Sequence, residues 1–125
     1  AGTALTVDAI DQNIFIGGVI APGLHMLYSA FIKNTAAVDA TGGGYQAFPK
    51  NTQNAAYTGA LLAMAGAVAA MYTELEKTAH QAPVCIVTGG DGKLLIQTLK
   101  QSFQIEAIDD ESLVLRGLFL MSEAL

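Results

Sequence analysis

Apolar and polar positions change their period several times along the chain, and each change predicts an element. Leu5, Val7 and Ala9 alternate with Thr6, Asp8 and Ile10, the two-residue period of a strand, and Asp11-Gln12-Asn13 supplies turn residues ahead of a second apolar run. That run, Ile14 to Ile20, predicts the return strand of a hairpin, with Gly17-Gly18 marking a bulge or the close approach of another backbone. Pro22-Gly23 ends it. Leu24, Leu27, Tyr28, Phe31 and Ile32 then recur at helical spacing, and Pro is favoured in a first turn, so a helix is expected from Pro22 to about Lys33.

The stretch from Asn34 to Lys50 is the longest irregular region, with Thr41-Gly42-Gly43-Gly44 at its centre. Connections of that length are more often functional or mobile than accidental. Asn51 or Thr52 is placed to cap a long helix that continues to about Lys77. One side of it carries Tyr57, Leu61, Met64, Val68, Met71 and Leu75, while Gly59, Ala63, Gly66, Ala67 and Ala70 line another side with small residues. A helix apolar nearly all round is covered on more than one side, here by the sheet of its own domain or by a partner subunit. After a polar linker, Thr78 to Ala82, a strand is expected at Val84 to Thr88, ending in Gly89-Gly90-Asp91. A helix with Leu94, Leu95, Thr98 and Leu99 on one face follows, then a short strand over Gln104 to Ile108. Asp109-Asp110-Glu111-Ser112 sets carboxylates at the positive end of a last helix, Leu113 to Leu125. The expected order is β-β-α-α-β-α-β-α in a single α/β domain spanning residues 1–125.

Composition narrows the partners. With 52% apolar residues in 125, the chain holds enough material for one buried core, which excludes a disordered segment. A net charge of −5 with only six Lys and Arg gives no basic stripe, so nucleic acid is not an expected partner, and an anionic membrane is no better matched. Ala55 to Tyr72 is uncharged and close to the roughly 20 residues of a membrane span, but its Ala and Gly content and the interruptions at Tyr57 and Thr58 favour a buried helix of a soluble protein. The single Cys85 lies in an apolar run and reads as a reduced core residue of a cytoplasmic protein. Met26, Met64, Met71 and Met121 fall at helical positions and read as core, His25 as a residue of a helix's polar face, and His80 and Lys50 as solvated. Asp8, Asp11 and Asp91 stand near turns, with no spacing that demands a metal ion.

Two glycine-centred turns carry the chemistry. Gly2-Thr3 precedes the first strand and Gly89-Gly90 follows the third. A glycine lets backbone approach an anion closely, neighbouring amide and hydroxyl donors bind phosphate oxygens, and ligands of open α/β folds collect at the carboxyl ends of strands beside helix N-termini.

The motifs Gly2-Thr3-Ala4-Leu5-Thr6-Val7-Asp8, Gly17-Gly18-Val19-Ile20-Ala21-Pro22-Gly23, Phe48-Pro49-Lys50-Asn51-Thr52, Ala56-Tyr57-Thr58-Gly59, Thr88-Gly89-Gly90-Asp91 and Leu113-Val114-Leu115-Arg116-Gly117-Leu118 follow one another in the order and spacing of type III pantothenate kinases, a group that includes proteins called Bvg accessory factors. The chain resembles the C-terminal half of such an enzyme. The resemblance implies the C-terminal domain of an acetate/sugar kinase, hsc70 and actin fold, which is ribonuclease H-like, with its first strand lying upstream of this chain. It implies transfer of the γ-phosphoryl group of ATP to the hydroxyl of pantothenate, the first step toward coenzyme A, with Mg2+ and a monovalent cation, K+ or NH4+, as cofactors. Gly2 and Thr3 then match a phosphate-binding turn, and Gly89 and Gly90 the turn that holds the adenosine end of ATP. Thr52 matches a threonine that contacts pantothenate across a homodimer interface. The catalytic base, in a Gly-x-Asp-Arg motif, and the cation's Asp ligand are expected before Ala1, in the N-terminal half of the same kinase, so no catalytic and no metal-binding residue is assigned here and the isolated chain is expected to be inactive. The alternative is a non-catalytic accessory or regulatory protein of the same fold.

Overall fold

The computed structural model describes residues 1–34, 42–79 and 81–124. His80 and the part of the Gly-rich connection up to Thr41 lie outside the described residues. Strands β1 (Ala4–Asp11) and β2 (Ile14–Pro22) form an antiparallel hairpin registered from Ala4 opposite Pro22 to Asp11 opposite Ile14. Gln12 and Asn13, between them, both take positive φ, 51° and 64°, the condition for a two-residue turn whose twist matches that of the strands. Ala9 faces Gly17 whereas Ile10 faces Phe15, so Ile16 is the extra residue of a bulge, and Gly17 beside it has φ 138°. A side chain on Gly18 would come within 2.6 Å of the Val7 carbonyl oxygen, so the glycine pair serves both as bulge and as close approach.

Helix α1 (Leu24–Asn34) begins two residues later than the Pro22 start expected from the sequence. Pro22 is the last paired residue of β2, opposite Ala4, where its missing N–H costs little, and the Gly23 carbonyl accepts the first helical bond, from Leu27. Helix α2 (Thr52–Thr78) is capped by Asn51, whose Oδ1 accepts the Asn54 N–H at 2.9 Å. Thr52 is therefore the first helical residue and not the cap, and its side chain is exposed. Strands β3 (Cys85–Val87) and β4 (Ala107–Asp109) pair in parallel through helix α3 (Gly92–Phe103). Sequence patterning extended both strands and started β4 at Gln104. That residue instead closes α3 in the left-handed conformation, φ 54°, donating to the Leu99 carbonyl, and Ile105 donates to the same oxygen at 3.1 Å, so the strand begins only at Ala107. The last helix, α4, spans Leu113–Ala124.

The sequence order of elements is the expected one, arranged as two two-stranded sheets, β1-β2 and β3-β4. Both lie on one core. Leu5 of β1 and Val87 of β3 join Met64, Ala65, Val68 and Ala69 of α2, Leu95 and Leu99 of α3, and Ile105 in a single buried cluster. Among the described residues of its small-residue side, Gly59, Ala63 and Ala70 are exposed, whereas Gly66 and Ala67 are half-buried, Ala67 packed against the core cluster. The helix is long and apolar enough to cross a membrane, but its largest buried residues, Leu61, Met64 and Val68, are engaged in packing. Of the four methionines read as core, Met64 is fully buried and Met71 half-buried, whereas Met26 and Met121 are 47% and 67% exposed. Met26 points off the outer side of α1, and Met121 belongs to α4, in which no residue is buried.

Replacing Asn51 with Ala removes the side-chain acceptor that caps α2 and should cost about 0.5–2 kcal/mol, whereas Thr52→Ala should leave stability within about 0.5 kcal/mol of the parent. Urea denaturation of the two variants measures the difference, and equal losses would return the cap to Thr52.

Candidate functional site

Residues 1–3 run ahead of β1 and are gripped from two sides. The Gly23 N–H donates to the Thr3 carbonyl at 3.0 Å, and a side chain at Gly23, which is buried, would run into the Gly2 carbonyl oxygen. On the other side the Ala1 nitrogen donates to the Thr88 carbonyl at 2.7 Å, and the Asp91 N–H donates to the Ala1 carbonyl at 3.2 Å. Gly89 lies between those two bonds with φ 108°, and a Cβ there would strike the Ala1 backbone. The two glycine turns singled out in the sequence are thus neighbours, joined through Ala1. Thr3 keeps its hydroxyl exposed beside this junction.

The β3 turn opens into a cavity of about 400 Å3 lined by Thr88, Gly89, Gly90, Lys93, Asp109 and Glu111. It sits at the carboxyl ends of the parallel strands β3 and β4 and at the head of α3, the place where an α/β unit presents backbone N–H groups and the positive end of a helix dipole. Lys93 adds a full positive charge there, while Asp109 and Glu111 offer acceptors for hydroxyl donors. Gly2, Thr3 and Thr52 are not part of its lining.

Thr52 belongs to a separate neighbourhood at the head of α2. The Gly-rich segment folds against it: the Gly43 N–H donates to the Tyr28 hydroxyl at 3.1 Å, the Gly44 N–H to Asn54 Oδ1 at 2.9 Å, and the Gln46 N–H to Thr58 Oγ1 at 3.0 Å. Tyr28 and Tyr57 meet edge to face with centroids 6.0 Å apart. A Cβ on Gly43 would run into the Gln53 carbonyl oxygen, which explains a glycine there. Thr58, read from the sequence as an interruption of an apolar run, is buried and ties this segment to α2.

Sequence reasoning missed Lys93, Asp109 and Glu111. The run Asp109-Asp110-Glu111 was read as a dipole-stabilising group, but only Asp110 acts in that way. Its carboxylate accepts the Ser112 N–H at 3.1 Å and pairs with Arg116, and its own N–H reaches the Val87 carbonyl at 2.9 Å. Asp109 closes β4 and Glu111 the following turn, and both look into the cavity. His25, Lys50 and Cys85 lie outside the lining of this cavity. His25 is exposed and meets Ser29 Oγ at 3.3 Å, Lys50 is exposed, and Cys85 is half-buried with its thiol pushed above the ordinary value by desolvation, so it stays protonated at neutral pH. Among the described residues no group of three or more His, Cys, Asp or Glu is placed to hold a metal ion.

Comparison with known proteins adds a second line of observation. The family model described as type III pantothenate kinase matches residues 1–74. The type III pantothenate kinase of Thiobacillus denitrificans is 37% identical over 125 residues, covering 99% of this chain and 50% of that protein. That of Methylobacillus flagellatus is 38% identical over 131 residues, covering 100% of this chain and 53% of that protein. Among solved structures, a conserved Baf family protein of Campylobacter jejuni, described as a transcriptional activator, superposes with a TM-score of 0.68 at 27% identity, over 99% of this chain and 55% of that one. The chain therefore spans about half the length of the curated relatives it matches.

The junction makes opposite demands of the two glycines at the end of β3. Gly89→Ala, with positive φ and the Ala1 backbone in the way, should destabilise by roughly 1 kcal/mol or more, whereas Gly90→Ala, with nothing within 4 Å of its Cβ position, should be nearly neutral. Thermal unfolding of the two variants checks this, and a neutral Gly89→Ala would dissolve the junction.

Proposed function

Because the chain belongs to the type III pantothenate kinase family, we propose that it is one half of an ATP-dependent pantothenate kinase, the half that holds the nucleotide. The observation that carries this reading is the junction of the Gly2-Thr3 and Gly89-Gly90 turns through Ala1, beside a cavity headed by α3. In this reading Gly2 and Thr3 bind the phosphate chain, with the Thr3 hydroxyl as donor, and Gly89 and Gly90 give the adenosine end room to lie against backbone. Lys93 balances anionic charge at the head of α3, and Asp109 and Glu111 accept hydrogen bonds from nucleotide hydroxyls.

The finer fold assignment belongs to the same proposal. Two separate two-stranded sheets on one core suit the C-terminal domain of the acetate/sugar kinase, hsc70 and actin fold with its first strand outside this chain, that strand lying between β1 and β3. The base that takes the proton of the pantothenate hydroxyl is then supplied from the other half. Catalysis in such a site comes from holding acceptor and γ-phosphoryl group in line and stabilising charge on the transferred group. Mg2+ bound to nucleotide phosphates needs only one or two protein carboxylates. Among the described residues no group of three or more His, Cys, Asp or Glu is placed to hold a metal ion, and in this reading the protein ligands of Mg2+ and of the monovalent cation, K+ or NH4+, come from the N-terminal half.

Thr52, released from capping by Asn51 and exposed beside the Gly-rich segment, is assigned to pantothenate at a site completed by a second copy. The exposed Gly59, Ala63 and Ala70 on one side of α2 suit such a homodimer. A cytoplasmic location is part of the same proposal, in keeping with a soluble biosynthetic family. The non-catalytic reading draws on the Campylobacter jejuni relative's description as a transcriptional activator. A full-length protein lacking the Asp of the Gly-x-Asp-Arg motif would favour it.

A coupled ATP-consumption assay separates the roles. The full-length protein should phosphorylate pantothenate and this chain alone should not. In the full-length protein Thr3→Val should lower kcat by about 10²–10³, the usual loss when a donor to developing charge is removed, and Thr52→Ala should raise KM for pantothenate with stability unchanged. Turnover by the 125-residue chain, or an unchanged rate in Thr3→Val, would overturn these assignments.

A further inference from the structure

Residues 42–51 do more than lead into α2. Their backbone is pinned at its start, the Gly43 N–H to the Tyr28 hydroxyl of α1 and the Gly44 and Gln46 N–H groups to Asn54 and Thr58 of α2. Tyr45, between the last two, reaches a different helix. Its hydroxyl meets Ser102 Oγ at 3.1 Å, in the last turn of α3 and 57 positions further along the chain. The segment is therefore strung between helices, by backbone to α1 and α2 and by one side chain to α3. Beyond that anchor Ala47 and Lys50 are exposed and Phe48 is 88% exposed, and the chain passes directly into the Asn51 cap and Thr52.

The first turn of a helix has no intrahelical partners for its N–H groups, so its geometry follows from what precedes it. Here that is Asn51, which caps only while its backbone stays extended, φ −128° and ψ 162°. Residues 47–51 alone separate this cap and the anchored part of the segment, so the hold on Tyr45 is passed on to Thr52. Helix α3 serves two places at once. Lys93 at its head lines the nucleotide cavity, and its tail, about 18 Å away at 1.5 Å per residue, carries Ser102. Tyr45 thereby refers the Thr52 end of the segment to the same stiff element that heads the cavity. A tyrosine suits the task, because its ring is a rigid arm that loses little freedom when the hydroxyl is fixed. We propose that Tyr45, held by Ser102, is a positioning residue that sets Thr52 in place for pantothenate. The inference rests on the reading of Thr52 as a pantothenate contact.

Steady-state kinetics of the full-length protein test the proposal. Tyr45→Phe keeps the ring and removes the hydroxyl, and it should raise KM for pantothenate by about three- to tenfold, the effect of one net hydrogen bond. The kcat, the KM for ATP and the thermal midpoint should stay as they are. Ser102→Ala should do the same, and the double variant no more than either. In a Thr52→Ala background Tyr45→Phe should add nothing, because it acts through Thr52. An unchanged KM for pantothenate, an equal rise in the KM for ATP, or full additivity with Thr52→Ala would overturn the proposal. Hydrogen exchange of residues 43–52, read by mass spectrometry on the same samples, separates it from the kinase reading. Exchange there should quicken by about threefold or more in Tyr45→Phe, with α3 unchanged. Quickened exchange in a protein that does not phosphorylate pantothenate refutes the kinase reading and the role of Thr52 while the tether stands, and phosphorylation with unchanged exchange refutes the tether and leaves the kinase reading standing.

Discussion

One backbone junction fixes where the two glycine turns of this chain meet. Ala1 bonds through its nitrogen to Thr88 and through its carbonyl to Asp91, while the Gly23 N–H holds the Thr3 carbonyl from the opposite side. Backbone can pass that closely only because Gly23 and Gly89 have no Cβ. The junction brings the turn before β1 beside the turn after β3, although Thr3 and Gly89 stand 86 positions apart (89 − 3) in the sequence.

The core sets that junction at a fixed place. Leu5 follows the first turn and Val87 precedes the second, and both are buried on the same face of α2 with Met64, Ala65 and Val68. The hairpin and the β3-α3-β4 unit share no sheet, yet neither can shift without opening that cluster. Small residues in α2 allow the approach: Ala56, Ala60, Ala65 and Ala69 are all buried, so the helix lies close to what it covers. The Asn51 cap and the bonds from Gly44 and Gln46 then fix the head of the helix and leave Thr52 exposed.

Local signals were legible where local chemistry decides the outcome. The hairpin turn at Gln12-Asn13, the bulge at Gly17, the order of the elements and the buried face containing Leu61, Met64 and Val68 all follow from periodicity and turn residues. Boundaries failed where a tertiary bond intervened: Pro22 was drawn into the hairpin by Ala4, and Gln104 took a left-handed cap that delayed β4. Burial failed where the pattern predicts cover without saying who supplies it. Met26, Met121 and α4 have apolar spacing, yet among the described residues both methionines are exposed and no residue of α4 is buried. The cleft residues were invisible for another reason, since Lys93, Asp109 and Glu111 come from two elements and only the parallel pairing of β3 with β4 collects them.

The central claim is that the two glycine turns bind one nucleotide. Its most direct test is a titration of the full-length protein, labelled with 15N at glycine and threonine, with a non-hydrolysable ATP analogue and Mg2+. The amide resonances of Gly2, Thr3, Gly89 and Gly90 should shift together, along one binding curve with a single Kd, while those of Gly59 and Gly66 in α2 stay still. Movement of one turn without the other, or two curves with different midpoints, would contradict the account.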